Sequence, residues 1–335
     1  MGKFVDAVLK PKFAESADPC LDDFKEFSVG WVLQRYIEEM NGANGKRGLK
    51  PLGSTHLYAL RMLQRLPIAK KDARRLTKQD VIDHCKLRRE HVLPATVNQD
   101  ITYLRGPLAY APSAWPDCED ISAGAFEAAR PLLVKYNLIG KGTPRKRVPT
   151  DDEIQTLLAD FEEQDKTSTI KMVPVVLFAL ASTRRRGEIC RIQWGDIDWD
   201  RKDDQGRPTP MYMVRDLKHP TKKLGNHKWF PLFPELAEII KRQPRLRPDD
   251  PTERVFPYNP VSVGAKYTRT KAKHGITNLR FHDNRRAVIT RWLKVFSPFD
   301  VKQISGHETT VILERVYAAP NPADLHAKLP AQSSV

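Results

Sequence analysis

The sequence has few cysteines and no long apolar run. Its 335 residues include four widely spaced cysteines, with no C-x-x-C pair and no paired histidine spacing: Cys20, Cys85, Cys118 and Cys190. Neither a disulfide framework nor a zinc site is indicated, so reduced and mostly buried thiols are expected. The longest apolar run, from Met172 to Ala181, is half the ~20 residues that cross a bilayer. Without the pattern of a signal peptide at the N-terminus, a cytoplasmic, nucleoid-associated protein is expected.

Basic residues outnumber acidic residues in this chain. Asp and Glu total 41 against 56 Lys and Arg, which gives a formal net charge of +15. Such a surplus indicates a polyanionic partner, most often nucleic acid. The charge by itself does not distinguish an enzyme from a passive DNA-binding protein. The 40% apolar fraction is enough for real cores, and the chain length favours two domains.

The pattern along the chain predicts four segments. Apolar residues recur at helical spacing in the first half, and Thr77 with Asp80 forms a capping-box pattern. One of these helices is expected to kink or end at Gly106-Pro107. The predicted segments are an N-terminal arm at 1–20, an all-helical domain at 21–134, a basic linker at 135–149 and a second domain at 150–335.

The second domain is predicted to be mainly helical with a small antiparallel β-sheet. Thr150 can cap its first helix, and Pro234 can start a later one. Two β-like stretches, 211–215 and 227–232, flank a loop containing Gly225-Asn226 and predict a hairpin. The basic linker before this domain could lie along a DNA backbone or act as an ordinary solvated tether.

Four short motifs follow one another in the second domain. The first, STRRRGEICRIQWGDI, begins at Ser182 and contains three consecutive arginines. The second places His282 and Arg285 three residues apart, on one face of a helix. The third is Ile304-Ser-Gly-His307, which follows a helix start marked by Ser297 and Asp300, and Tyr317 stands ten residues after His307.

Together these motifs resemble those of the tyrosine recombinase, or phage integrase, family. The match of Gly187, Glu188, Trp194 and Asp196 puts Arg185 at the catalytic position of the first box, with Arg184 and Arg186 as alternatives. The other motifs resemble the family's His-x-x-Arg box, its Leu-Gly-His motif and its tyrosine. The chain departs from the family at three positions: Thr183 for Gly, Asn284 for Leu and Ser305 for Leu.

The resemblance implies a role for six residues. Arg185 and Arg285 would clamp the scissile phosphate, and Tyr317 would attack it to give a 3′-phosphotyrosyl link. Lys218, after the first hairpin strand, would be the general acid, with Lys222, Lys223 and Lys228 as alternatives. His282 would serve as general base or proton shuttle, and His307 as a further donor to the phosphate. No metal or other cofactor is implied.

The resemblance also implies an architecture. The domain at 21–134 would be a core-binding domain that closes with the catalytic domain around duplex DNA. Four protomers would assemble on two recombination sites, with the segment after Tyr317 docking on a neighbour. The short arm favours a simple recombinase over lambda-like integrases with an extra arm-binding domain. A type IB topoisomerase and a non-catalytic DNA-binding protein of the same fold are the alternatives.

Overall fold

The computed structural model describes residues 19–42, 51–143, 145–217, 225–311 and 313. Two compact units make up the chain, Met1–Thr143 and Pro144–Val335. Most described residues are helical, and a small antiparallel sheet lies in the C-terminal unit. The predicted fold class is confirmed. No helix in the described ranges is long and apolar enough to cross a membrane.

The N-terminal unit is a helical bundle. Its helices are α1 (Val29–Asn41), α2 (Ser54–Leu63), α3 (Lys78–Arg89), α4 (Pro94–Ala114) and α5 (Gly124–Lys135). They enclose one apolar core, to which every one of these helices contributes buried side chains. Because each helix has only one apolar face, the bundle is the arrangement that buries all of these faces together.

Local sequence signals explain where several of these helices begin. The hydroxyl of Thr77 accepts a hydrogen bond from the amide of Asp80 at 3.2 Å, and the Asp80 carboxylate accepts the Thr77 amide at 3.0 Å, so the predicted capping box is confirmed. α4 does not end at Gly106-Pro107 but continues to Ala114. Leu104 and Leu108 on either side are fully buried, so core packing keeps this segment helical despite the proline.

The C-terminal unit contains seven described helices and three strands. The helices are α6 (Asp151–Thr167), α7 (Met172–Ala181), α8 (Arg186–Ile189), α9 (Pro234–Lys241), α10 (Pro260–Lys273), α11 (Phe281–Trp292) and α12 (Pro298–Ser305). The strands are β1 (Ile197–Asp198), β2 (Met211–Val214) and β3 (Lys228–Pro231). The predicted helix starts at Thr150, Pro234 and Ser297 are confirmed.

The sheet has the order β1-β2-β3 and is antiparallel throughout. Tyr212 pairs with Phe230 across β2 and β3, which confirms the predicted hairpin. The inward faces of both strands join a core that includes α7, whose apolar sequence is buried along most of its length. The first arginine motif begins in the loop that directly follows α7. The expectation that most cysteines are buried is confirmed, since only Cys20 of the four free cysteines is exposed.

Candidate active site

One cleft of about 850 Å³ in the C-terminal unit collects side chains from separate segments of the chain. Its lining includes four of the six predicted site residues: Arg185, His282, Arg285 and His307. Further cationic side chains line the same cleft: Arg186, Lys271 and Arg280. Among the described residues, no Asp or Glu lines it. A concave site with this charge is suited to an anion.

Arg185 is held at the start of α8 by one buried carboxylate. Glu188 accepts the Arg185 amide at Oε2, at 2.9 Å, and the Arg185 guanidinium at Oε1, at 2.7 Å. Burial by itself raises the pKa of Glu188, but the charges of Arg184 and Arg185 outweigh it and hold that pKa below its ordinary value. The ionised Glu188 therefore fixes Arg185 in place, while 29% of the Arg185 side chain stays exposed.

Arg285 lies on α11 and hydrogen-bonds both to the loop that follows α7 and to the end of α12. Its Nη1 donates to the carbonyl of Thr183, in the first arginine motif, and its Nη2 donates to the carbonyl of Ser305 at 3.2 Å. The residue is only 2% exposed. The first and third motifs are thus joined through the arginine of the second. This contact explains how residues more than 100 positions apart come to line one cleft.

His307 lies between Arg285 and Ser305. The Arg285 Nη2 is 3.3 Å from His307 Nε2, and the Ser305 hydroxyl is 2.6 Å from Nδ1. Because a guanidinium can only donate, Nε2 accepts, and the neutral ring carries its proton on Nδ1, which donates to Ser305. In this arrangement His307 supports Arg285. The predicted role as a phosphate donor therefore requires the contact with Arg285 to break and the ring proton to move from Nδ1 to Nε2, with the Ser305 hydroxyl then donating to Nδ1.

His282 stands in the first turn of α11, three residues before Arg285. The buried Asp283 caps this turn, because its carboxylate accepts the Arg280 amide at 2.8 Å. Arg145 donates to the same carboxylate through Nε, at 2.8 Å, and Nη2, at 2.7 Å. Arg145 also binds the Asn278 side chain at 2.6 Å. This residue of the predicted linker is therefore anchored beside the site rather than fully solvated.

The pKa values of both histidines of the cleft lie below the ordinary value for the side chain. Burial, followed by the charges of Arg285, Arg185 and Arg184, lowers the pKa of His307 to about 3. Partial desolvation and the charges of Arg285 and Arg185 also lower the pKa of His282. Both rings are therefore neutral near pH 7. A neutral His282 is able to accept a proton.

Two predicted site residues, Lys218 and Tyr317, lie outside the described residues, as do the alternatives Lys222 and Lys223. Lys228, the remaining alternative, is on β3 and lines a second cavity of about 420 Å³ that also includes His307. The structure thus brings four of the six predicted residues to one cleft.

Sequence reasoning missed the anchoring of Arg145 and the cleft positions of Lys271 and Arg280. Lys271 and Arg280 belong to no motif, and only the fold brings α10 and the start of α11 to the cleft. Arg145 carried a signal, since it lies within the basic, proline-bearing stretch 135–149. No pattern in the sequence paired it with Asp283, 138 residues away.

A mainly helical unit with a small antiparallel sheet and an arginine-lined cleft is typical of tyrosine recombinases. Residues 147–324 match the phage integrase family, and this chain belongs to that family. It is 25% identical over 296 residues to a putative integrase/recombinase of Haemophilus influenzae, covering 88% of this chain and 87% of the relative. It is 21% identical over 303 residues to the shufflon-specific DNA recombinase of Escherichia coli, covering 87% and 69%.

Solved structures of integrases share the fold. The Tn1549 transposon integrase in complex with transposon right end DNA has a TM-score of 0.63 at 16% identity, covering 90% of this chain and 98% of that one. A lambda integrase tetramer bound to a Holliday junction has a TM-score of 0.60 at 13% identity, covering 97% and 89%. Family membership places the protein among the integrases and recombinases and supports a role in DNA recombination.

Proposed function

We propose that this protein is a site-specific recombinase that cleaves and rejoins duplex DNA through a 3′-phosphotyrosyl intermediate. The observation that carries the proposal is the meeting of Arg185, His282, Arg285 and His307 at one cleft with a cationic lining. These residues come from three motifs that are separated in the sequence and tied together by Arg285. A protein that binds DNA only through a non-specific basic surface would not need residues from three motifs to meet at one cleft.

The two arginines bind the scissile phosphate. A guanidinium is planar, always charged and able to donate two parallel hydrogen bonds to phosphate oxygens. Negative charge grows on these oxygens as the phosphorus becomes five-coordinate, so donors already in place stabilise the transition state. Glu188 holds Arg185 in place, and two backbone carbonyls hold Arg285 in place. Both guanidinium groups are therefore pre-organised for this role.

Tyr317 and Lys218 complete the chemistry. The Tyr317 oxygen attacks phosphorus and passes its proton to the neutral His282. The bond from phosphorus to the 5′ oxygen breaks, and Lys218 protonates that oxygen as it leaves. Rejoining is the reverse, with the 5′ hydroxyl of a partner strand attacking the phosphotyrosine. Because the phosphotyrosyl bond stores the energy of the broken phosphodiester, no nucleotide cofactor is required.

The partner is duplex DNA, and the working assembly is a homotetramer on two recombination sites. The unit at 21–134 serves as the core-binding domain, and 135–149 as its linker to the catalytic domain at 150–335. The segment after Tyr317, which lies outside the described residues, docks on a neighbouring protomer. Support for this assembly comes from the lambda integrase relative, which binds a Holliday junction as a tetramer.

Trapping the covalent intermediate tests the proposal. The protein is incubated with nicked duplexes that carry the sequences flanking its own gene, and the products are separated on a denaturing gel. The nick lets the cleaved strand diffuse away, so we expect a protein–DNA band that Tyr317→Phe abolishes while gel-shift binding persists. Binding without any adduct would identify a non-catalytic DNA-binding protein. Relaxation of any supercoiled plasmid, without preference for a site, would identify a type IB topoisomerase.

A further inference from the structure

Arg184 directly precedes Arg185, but it points into the protein. It is 1% exposed and is among the largest fully buried side chains of the described residues. Its guanidinium carbon lies 3.7 Å from the centre of the Phe230 ring. Its Nη2 donates to the Thr183 hydroxyl at 2.7 Å and to the Ile304 carbonyl at 2.5 Å. Arg184 is therefore placed between the first and third motifs without lining the cleft.

The charge of Arg184 has no carboxylate of its own in the part of the chain that the structure describes. Its Nε and Nη1 atoms are buried and have no hydrogen-bond partner there. The neighbouring Glu188 already binds Arg185 through both of its oxygens. Glu188 is nevertheless close enough to Arg184 for that charge to lower its pKa. An ionised group buried in this way weakens the fold.

Stability does not account for an arginine at this position. A methionine has a similar length, could pack on Phe230 and would leave no donor unpaired. The Ile304 carbonyl would keep the hydrogen bond that it accepts from the Thr183 hydroxyl, at 3.2 Å. Buried polar groups without partners in native proteins call for an explanation, and a functional role is one such explanation.

We propose that Arg184 is a positioning residue whose buried positive charge strengthens the hold of Arg185 and Arg285 on the scissile phosphate. This inference rests on the proposed function and adds to it a residue that does not touch DNA. A charge in a desolvated environment acts over a longer range than one in water, and it needs no reorganisation during the reaction. The pKa of His307 is lowered most by burial, then by the charges of Arg285 and Arg185, and then by the charge of Arg184. The effect of Arg184 indicates that its charge reaches the cleft.

Three substitutions of Arg184 in the full-length protein separate charge from hydrogen bonding. Arg184→Lys keeps the charge, Arg184→Gln keeps a donor without charge, and Arg184→Met keeps neither. The measurements are the rate of adduct formation at saturating nicked DNA, the dissociation constant from gel shifts and the melting temperature. We expect Met and Gln to slow adduct formation by about tenfold or more, and Lys by less than about threefold. The Met variant should melt no lower than the unsubstituted protein.

Arg88 provides a matched control in the N-terminal unit. It is also a buried arginine, at 4% exposure, but it forms a salt bridge with the buried Asp100 at 2.7 Å. Arg88→Met leaves that carboxylate unpaired, so the melting temperature should fall. Adduct formation by the folded Arg88→Met protein should stay within about twofold of the unsubstituted rate, since Arg88 does not line the cleft.

The charge of the substrate gives a readout that a purely structural role would not change. A methylphosphonate at the cleavage position carries one negative charge less than a phosphodiester. The factor by which Arg184→Met slows adduct formation should therefore be at least about threefold smaller on methylphosphonate DNA than on phosphodiester DNA, because less charge develops in the transition state.

Each contrary outcome has a definite meaning. An unchanged rate of adduct formation in Arg184→Met overturns the inference. A Gln variant that is as active as the Lys variant also overturns it, because Arg184 would then act through its hydrogen bonds and not through its charge. A Met variant that melts clearly below the unsubstituted protein overturns the argument from burial. If the unsubstituted protein itself forms no adduct, the proposed function is wrong. The melting temperatures then still test whether the buried Arg184 stabilises the fold.

Discussion

Arg185 and Arg285 line the same cleft but are held by different groups. Arg185 depends on a single carboxylate, that of Glu188, and keeps part of its side chain exposed. Arg285 depends on the backbone carbonyls of Thr183 and Ser305 and is almost fully buried. A substitution of Arg185 therefore disturbs mainly the cleft, whereas one of Arg285 also disturbs the loop that follows α7 and the end of α12.

Arg185→Lys tests the geometric role of the guanidinium. The lysine keeps a positive charge beside Glu188 but loses the planar fork that matches phosphate oxygens. Adduct formation should slow by about 10²–10³-fold, with little change in melting temperature. Arg191→Lys, at an exposed position nearby, is the control and should react normally. Equal rates for the two variants would mean that Arg185 does not bind the phosphate.

His84 should make the N-terminal unit sensitive to acid. It is buried in α3, and neither ring nitrogen has a hydrogen-bond partner among the described residues. Burial, with a smaller effect of the Arg88 charge, lowers the pKa of His84 from 6.5 to about 4. Below pH 6.5 the unfolded chain therefore binds a proton that the folded chain excludes. The free energy of unfolding falls as the pH drops from 6.5 towards 4.

His84→Leu removes this titration. Between pH 7.5 and pH 5, the variant should lose on the order of 1–2 kcal/mol less stability than the unsubstituted protein. Urea unfolding followed by circular dichroism at the two pH values measures the difference. Ile82→Leu, which changes a buried apolar residue of α3 and no ionisable group, should leave the pH dependence unchanged. An identical loss in all three proteins would refute the assignment to His84.

Among residues, motif spacing predicted the positions that meet at the cleft but not the ones that support them. Arg185, His282, Arg285 and His307 were found because each stands at a fixed distance from a recognisable neighbour. The support given by Arg145 to Asp283 spans 138 positions and follows no spacing rule. Such contacts depend on tertiary packing, which a single sequence does not reveal.

At the scale of elements, the end of α12 positions His307. Gly306 closes this helix in the left-handed region, at φ +70°, so His307 directly follows the turn. A Cβ atom at Gly306 would lie 2.9 Å from Leu217 Cδ2 and 3.2 Å from Phe230 Cζ. The position therefore requires glycine both for its backbone conformation and for lack of space.

Gly306→Ala and Gly206→Ala separate these two requirements. Gly206 has a similar φ of +75° but nothing within 4 Å of a Cβ atom. Gly206→Ala should cost about 1 kcal/mol of unfolding free energy from backbone strain, and Gly306→Ala about 1–2 kcal/mol more. Only Gly306→Ala should slow adduct formation, because it moves His307. Equal effects on stability would show that packing around Gly306 is loose.

Helix starts were predictable from the sequence, because a capping box is a local pattern. Thr77 and Thr150 begin α3 and α6 as expected. The continuation of α4 past Pro107 and the two-residue strand β1 were not predictable. Each depends on packing or pairing with residues that are distant in the sequence.

At the scale of the whole molecule, the net charge of +15 predicts strong salt dependence of DNA binding. Each phosphate contact releases condensed counterions, so the logarithm of the affinity falls linearly with the logarithm of the salt concentration. For about six or more contacts, the affinity should fall by about 10³-fold or more between 50 and 200 mM salt. Gel shifts across this range measure the slope. A slope near zero would contradict phosphate binding by the basic surface.

The separate apolar cores of the two units agree with a chain built from two folding regions. Chain length and the basic, proline-bearing stretch at 135–149 pointed to this division. Neither composition nor helical periodicity carries information on how a chain of this kind assembles on DNA.

The central claim is that Arg185 and Arg285 bind one phosphate. A structure of the Tyr317→Phe protein bound to its recombination-site duplex measures this directly, through the distances from each guanidinium to the phosphate oxygens. We expect nitrogens of both arginines to lie about 3 Å from oxygens of the same phosphate. Arginines bound to different phosphates, or DNA that passes outside the cleft, would contradict it.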